Sequence, residues 1–459
     1  MINDTNQAIY TPDEFMNRIL SASKDFGFSE AEVLYSASKS TEIHVLKGEI
    51  SQYEASSLQG LSFRGVYDGR MGYAYTEVLE DTALTFLLEQ ARQNAGAIEA
   101  EEKETMYQGD ATYREVKSYE KALDTLSFDN MAKITLTLEK DILSAHDAVE
   151  AVDHCISSYG SASQKIKNTL GLDLFQESNM FSIYADVRCK KGNQVKTASG
   201  YWLGRDINAL DSKKLSEEIV HKAVSKLDAS SVPSGKYTLL LGDEAACDIL
   251  DTFSGIFSAE AIQKGFSLLK GKIGESIASD IVTIRDDAFV KGSVTETAFD
   301  SEGVGTKNLV LVEEGILKGI LHNRKTAQKD KTASTGNGFR SYKGSLSVGS
   351  KNFYIVPGKL SHEELLSRLC DGIYITDVSG LHAGTNTVSG DFSLLCDGFL
   401  VENGKVKRAV EQITIAGNFF TLLKRITHIG KDIFFSSPGI AGATGSPELL
   451  ISDIDVSGN

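Results

Sequence analysis

Proline is scarce in this sequence, with five residues against 41 glycines in 459. Such a chain turns its corners with positive-φ glycine rather than rigid proline, the usage of tight hairpins in a β-rich protein. Cysteine is scarce as well. The five present, Cys155, Cys189, Cys247, Cys370 and Cys396, are odd in number and dispersed, with no Cys-x-x-Cys pair. That excludes a disulfide scaffold, a zinc knuckle and a dithiol redox motif, and leaves buried thiols as the expectation. No apolar run reaches the roughly 18 residues that mark a membrane-spanning helix. Met1 to Tyr10 has no basic start followed by an apolar stretch, so no signal peptide is expected and the cytoplasm is the expected compartment. Positive charge is in deficit: 47 basic against 63 acidic residues give a formal charge of −16. That balance repels a phosphate backbone and argues against direct nucleic-acid binding.

The familiar catalytic spacings are missing too. There is no His-Glu-x-x-His, no Gly-x-Ser-x-Gly elbow, no phosphate-cradling Gly-x-x-x-x-Gly-Lys-Ser/Thr and no dinucleotide Gly-x-Gly-x-x-Gly after a strand. The eight histidines lie far apart, and only folding can bring any of them together. What remains is an ordinary globular composition, 41% hydrophobic and 24% charged, on a chain long enough for two or three domains with their own cores.

The pattern along the chain predicts an α+β protein whose C-terminal part is large, antiparallel and β-rich, with flanking helices. A first α+β domain is expected over residues 1–110. It opens on Thr11-Pro12-Asp13-Glu14, a hydroxyl cap, a proline and a glutamate that start a helix. Strands follow at Glu32 to Leu34, Glu42 to Leu46 and Gly60 to Tyr67, with a hairpin turn at Asp68-Gly69 and a helix after Asp81. The polar stretch Glu99 to Asp110 is a linker candidate. A central α+β domain is expected over 111–232, with a helix over 126–146, strands at Ala148 to Ser157, Leu170 to Asn179 and Phe181 to Lys190, and a closing helix from Leu210 to Leu227. Ser230 to Gly235 is expected to be a solvated link to a domain over 236–459. There Leu311 to Lys318 and Leu400 to Lys407 echo each other as hairpins turning at Glu314-Gly315 and Asn403-Gly404. That echo reads as reused turn chemistry rather than an internal repeat.

One junction concentrates acids. The strand Tyr237 to Leu241 runs into Gly242-Asp243-Glu244, with Asp248 five residues beyond Asp243. Asp243 suits a helix cap, and Glu244 benefits from the same helix dipole. The alternative makes Asp243, Glu244 and Asp248 a carboxylate metal site, but five helical residues span about 140° around the axis, a poor shared face. Two glycine-broken segments are also candidates. Gly380 to Asp391 contains His382, Asn386, Gly390 and Asp391, which could contact a peptide or a partner chain. Thr335 to Ser350, which holds Asn337 as a further candidate for contact with a peptide or partner, suits a mobile loop over a cleft or a disordered one.

The strings Phe299-Asp300-Ser301-Glu302-Gly303-Val304-Gly305-Thr306, Val312 to Leu321, Thr335-Gly336-Asn337, Ser389-Gly390-Asp391-Phe392-Ser393 and Ile415-Ala416-Gly417-Asn418 resemble, in the same order, the C-terminal domain of TldD/PmbA proteins. The resemblance is close from about Lys236 onward and extends to the first two domains by pattern. It implies the following. TldD-type members carry His-Glu-x-x-x-His at the strand-to-helix junction and a cysteine near the C terminus as their metal site. Here the matching positions are Asp243, Glu244 and Asp248, and Pro438 to Pro447 contains no cysteine. The chain is therefore similar to the PmbA/TldE side, with no metal of its own and no catalytic residues expected. Its expected partner is a TldD-like subunit that holds zinc, its expected substrate an unfolded peptide, and homodimers are the alternative when the partner is absent. Two other readings stay open: a self-sufficient metal-dependent peptidase using Glu244, and a non-enzymatic regulator of gyrase or of a toxin system.

Overall fold

The computed structural model describes residues 10–98, 104–439 and 442–459. Helix α1 (Pro12–Ser23) starts on the expected capping box: Thr11 Oγ1 accepts from the Glu14 amide, and Glu14 Oε2 accepts from the Thr11 amide at 3.0 Å. It leads into β1 (Glu30–Leu46), β2 (Glu49–Tyr67) and β3 (Arg70–Thr76), followed by α2 (Asp81–Ala97). After an extended segment come α3 (Phe128–Ala145), β4 (Val149–Asn168), β5 (Asp173–Lys191), β6 (Gln194–Gly204) and α4 (Ser212–Ser225). The six strands form one antiparallel sheet in the order β3-β2-β1-β4-β5-β6, so the strands on both sides of residue 110 share a single ladder.

Several expected strands prove to be parts of longer ones. Glu32 to Leu34 and Glu42 to Leu46 both belong to β1, and the runs on either side of Asn179-Met180 both belong to β5. Turn chemistry explains the difference. The corners of this sheet carry positive-φ residues, at Lys47-Gly48, Asp68-Gly69, Gly171 and Gly192, and Asn179-Met180 has none. The middle of β1 is polar because Ser36 and Ser38 line a cavity shared with the C-terminal half. That interrupts the apolar alternation by which strands are recognised.

One sheet face is covered by helices. Phe15, Ile19, Val33, Phe63, Leu87 and Leu88 form one core, and Ile43, Leu138, Ile142, Phe181, Ile183 and Ile219 a second. The other face meets the C-terminal half at a buried charge network. Glu32 Oε1 accepts from Arg64 Nε at 2.7 Å and from Arg340 Nη2 at 2.6 Å, and Arg64 lies 3.6 Å from Glu302.

The C-terminal half begins with β7 (Gly235–Leu241), α5 (Asp243–Ser254) and the short α6 (Ala259–Gln263). β8 (Ile284–Asp287), β9 (Asn308–Glu313) and β10 (Ile316–Leu317) follow, then α7 (Arg324–Lys329), the hairpin β11 (Gly338–Phe339) with β12 (Ser347–Val348), and β13 (Asn352–Ile355). The last elements are α8 (His362–Leu369), β14 (Gly372–Ser379), β15 (Asp391–Glu402), β16 (Lys405–Asn418), α9 (Phe419–Lys424), β17 (Ile426–Phe435) and β18 (Ala443–Ser457). The ten-stranded sheet is mainly antiparallel, with β14–β7 and β13–β18 parallel. The run β7-β14-β15-β16-β18 closes on itself, because β18 also pairs with β7. Both echoing hairpins are present, with positive φ at Glu314-Gly315 and Asn403-Gly404. Helix α5 buries Ala245, Ala246, Ile249, Leu250 and Phe253 in this core, where Phe253 stacks on Phe419 at 4.6 Å.

Two expectations about loops are corrected and a third is extended. The segment Thr335 to Ser350 is neither free nor disordered: Arg340 is buried against Glu32, Lys343 pairs with Glu77 at 2.6 Å, and the Tyr342 ring lies over Gly60. Ser230 to Gly235 is exposed as expected except at Ser231 and Val232, and it is also pinned, with Arg408 donating to the carbonyls of Ser230 and Ser231 and the Asn459 amide to that of Val232. Of the linker candidate, residues 99–103 lie outside the described residues, and from Glu104 on the chain is docked. Arg324 donates to the Thr105 carbonyl at 2.6 Å, and the Gly305 amide donates to Asp110. Four cysteines are buried as expected, but Cys370, at the C-cap of α8, is exposed. No helix among the described residues is long and apolar enough to cross a membrane.

Candidate functional site

The β7-to-α5 junction lies where α4 and β6 meet the C-terminal half. The Gly242 amide still belongs to the sheet, donating to Ile375 at 2.8 Å, while its carbonyl already accepts from Ala246 at 2.8 Å. Gly242 is therefore the N-cap and Asp243 the first helical residue, which corrects the expectation that Asp243 is the cap. Its carboxylate turns back on its own backbone, Oδ1 accepting from the Glu244 amide at 2.8 Å. Burial, then the charges of Glu244 and Glu448, push the Asp243 carboxyl up. Glu244 is held from α4 by Lys222 at 2.5 Å. Asp248 is exposed, yet the protein surface close around it, followed by the charges of Glu244, Asp251 and Asp377, pushes its carboxyl up to about 6. Lys226 answers part of that charge by pairing with Asp377 at 2.9 Å. Tyr201, from β6, donates to the Phe435 carbonyl at 3.0 Å, and burial raises its hydroxyl, helped by the charges of Glu244 and Asp248.

Sequence reasoning missed the other side of this site. His362, the first residue of α8, places Nδ1 2.8 Å and 3.1 Å from the two carboxylate oxygens of Glu448 on β18. That hydrogen bond raises the imidazole's affinity for a proton. Tyr374 on β14 lies 5.2 Å from the His362 ring, centroid to centroid, and burial, then the charges of Glu448 and Asp243, raise its hydroxyl. Acids, an imidazole and a phenol thus share one partly dry locality that can hold and exchange protons. Eighty-six residues separate His362 from Glu448, and neither lies in a motif. The only local signal is the Ser361/Glu364 capping box that starts α8.

The donor set here does not fit zinc. Asp243 is folded onto its own helix, Glu244 is paired with an ammonium, and Asp248 lies about 140° around the helix from Asp243. The Cys247 thiol is turned to the Thr444 carbonyl, to which it donates at 3.1 Å, and burial pushes it up to about 12. Among the described residues, no three His, Cys, Asp or Glu side chains are grouped so as to hold an ion.

The other candidate residues lie elsewhere. Asn337 is buried: its amide donates to Asp286 at 2.6 Å and to the Gly349 carbonyl at 3.0 Å, and its oxygen accepts from Thr335. In the Gly380 to Asp391 loop, Asn386 Oδ1 accepts from the amides of Val388 and Ser389, and Asp391 accepts from Ser389 and Asn418. Gly390, at φ 85°, passes its carbonyl to the Phe419 amide at 2.7 Å. These groups hold the loop closed, while His382 stands exposed.

Three family models match the chain: PmbA/TldA metallopeptidase domain 1 over residues 31–95, the central domain over 121–227 and the C-terminal domain over 234–458. A proposed modulator of a DNA gyrase from Thermotoga maritima shares the fold with a TM-score of 0.89 and 31% identity, covering 97% of this chain and 100% of that one. TldE from Thermococcus kodakarensis superposes with a TM-score of 0.88 and 27% identity, over 97% and 100% of the two chains. The metalloprotease PmbA of Escherichia coli O157:H7 is 26% identical over 276 residues, 60% of this chain and 59% of that protein.

Proposed function

The chain belongs to the PmbA/TldD metallopeptidase family, and from that membership we propose that it is the subunit without catalytic metal in a two-subunit cytoplasmic peptidase acting on unfolded peptides. Its part is assembly and substrate binding, and zinc and the bond-breaking step belong to a TldD-like partner. The observation that carries this reading is the state of the β7-to-α5 junction. Asp243 is turned onto its helix, Glu244 is paired with Lys222, and Cys247 is a buried thiol. A general base must be free to reach the proton it removes, and Glu244 is held by an ammonium instead. The likeness to a TldE supports the same assignment.

Co-expression with a TldD-like protein, followed by sizing, elemental analysis and a peptidase assay on an unfolded peptide, tests the proposal. The expected result is a mixed complex that cleaves, with zinc following the partner, and neither zinc nor cleavage in this chain alone. Stoichiometric zinc in the isolated chain, with peptidase activity lost in Glu244→Gln, overturns it.

A further inference from the structure

β3 pairs with β2 only from Leu61 onward, which leaves residues 49–59 of β2 as a sheet edge among the described residues. All eleven are exposed. Edges of this length are ordinarily blunted by lysine, proline or a covering element. Here the stretch Glu49 to Gln59 contains no lysine or proline, and its only charges are Glu49 and Glu54. Helix α3 packs beside its start, at Ile50. Glu139 of α3 is buried and accepts from the Lys47 and Gly48 amides, both at 2.7 Å, so the tip of the β1–β2 hairpin is tied to the helix.

Between edge and helix lies a depression of about 350 Å³, lined by Ile50 from the strand and by Phe128, Asp129, Ala132, Lys133, Leu136, Thr137 and Lys140 from the helix. Phe128 also meets Tyr53 of β2 edge-to-face at 5.2 Å, and both remain exposed, Tyr53 at 52% and Phe128 at 42%. Lys133 and Lys140 are exposed, and neither has an ion-pair partner among the described residues. Two ammonium groups against the single carboxylate of Asp129 leave the lining of the depression with one excess positive charge, on a chain of net charge −16.

The geometry points to a peptide-binding groove between β2 and α3 that takes an extended segment as an added strand, with an apolar side chain in the depression and an acidic side chain two residues away on Lys133 and Lys140. Strand addition accounts for the unpaired backbone, because an extended chain satisfies a sheet edge without regard to sequence. The depression accounts for one side chain, and alternate residues of a strand face the same way, so its neighbour at two residues reaches the lysines. This rests on the reading of the chain as a peptide-handling subunit and gives that reading a binding surface and a substrate preference.

The probe is a fluorescein-labelled, N-acetylated and C-amidated nonapeptide of alternating threonine and valine, with phenylalanine at position five and glutamate at position seven. It is titrated with the isolated chain by fluorescence anisotropy. Saturable binding is expected, weakened roughly tenfold in K133E/K140E, since two attractive charge pairs become repulsive. Replacing the peptide's glutamate by lysine should weaken it comparably. N-methylation of alternate peptide amides should abolish binding in one of the two registers, and hydrogen exchange should slow in residues 49–59 when peptide is added. Absence of saturable binding, equal affinity for wild type and K133E/K140E, or full binding by both N-methylated peptides overturns the proposal. So does a concentration-dependent dimer that protects residues 49–59 and is unaffected by peptide, which would assign the edge to a second copy. The measurement needs neither partner nor cleavage, so an inactive mixed complex would count against the subunit assignment and leave this result standing.

Discussion

Glu32→Ala withdraws a carboxylate from between two guanidiniums at a site closed to water. Glu32, Arg64, Arg340 and Glu302 are 0%, 5%, 3% and 2% exposed, and Glu32 Oε1 takes bonds of 2.7 Å and 2.6 Å from the two arginines. Removing one partner of a buried ion pair leaves an uncompensated charge and costs about 3–5 kcal/mol. Two features decide where in that range the loss falls. Burial, then the charge of Arg64, already lowers the Arg340 guanidinium to about 10, so it stays charged at pH 7 and is left close to a like charge. Against that, Glu32 Oε2 and Arg64 Nη2 have no protein partner, and Glu302 remains 3.6 Å from Arg64, so the network loses less than a fully bonded one. A loss of about 3–4 kcal/mol follows. At about 2–4 °C per kcal/mol for a unit of 150–250 residues, the melting temperature should fall by roughly 6–16 °C. Thermal melts followed by circular dichroism measure this, and limited proteolysis should show earlier cleavage in 335–350, the segment Arg340 anchors. Arg340→Met added to Glu32→Ala should recover part of the loss, because the stranded charge leaves with its partner. A single-variant shift under about 2 °C, or a double variant less stable than the single, would refute the reasoning.

A Cβ at Gly60 would lie 2.1 Å from the Tyr342 ring, so Gly60→Ala should destabilise by about 1–3 kcal/mol and Tyr342→Ala should suppress most of the difference, read as a double-mutant cycle in urea. Asp248 binds its proton more tightly folded, at about 6, than unfolded. The native state therefore holds the extra proton between roughly pH 4 and pH 6, and stability falls as pH rises through that window. Asp248→Asn should flatten the fall and raise the melting temperature at pH 7, and an unchanged pH profile counts against it. Asp243→Asn keeps the acceptor for the Glu244 amide and should melt near wild type, while Asp243→Ala loses that hydrogen bond and about 0.5–1.5 kcal/mol. Neither should respond to a chelator. Equal, chelator-sensitive losses would restore a metal to this position.

Local chemistry determined much of the fold directly from the sequence. Thr11 and Glu14 mark the start of α1, and Asp68-Gly69, Glu314-Gly315 and Asn403-Gly404 mark three hairpins, because caps and positive-φ turns depend on residues adjacent in the chain. The family was legible for the same reason, in short strings from Phe299 to Asn418. The sequence also placed acids at Asp243, Glu244 and Asp248. Only the tertiary structure decided what surrounds them. Lys222 reaches Glu244 from a helix of the other half, and His362 and Glu448 meet from α8 and β18, pairings that no periodicity encodes. Glu32 lies in an apolar stretch of β1 and Arg340 in a glycine-broken segment, 308 residues apart, and packing alone makes them partners. The same holds for Lys133, Lys140 and the bare edge of β2. An edge exists only by virtue of where a neighbouring strand stops, and β3 stops at Thr76, opposite Leu61.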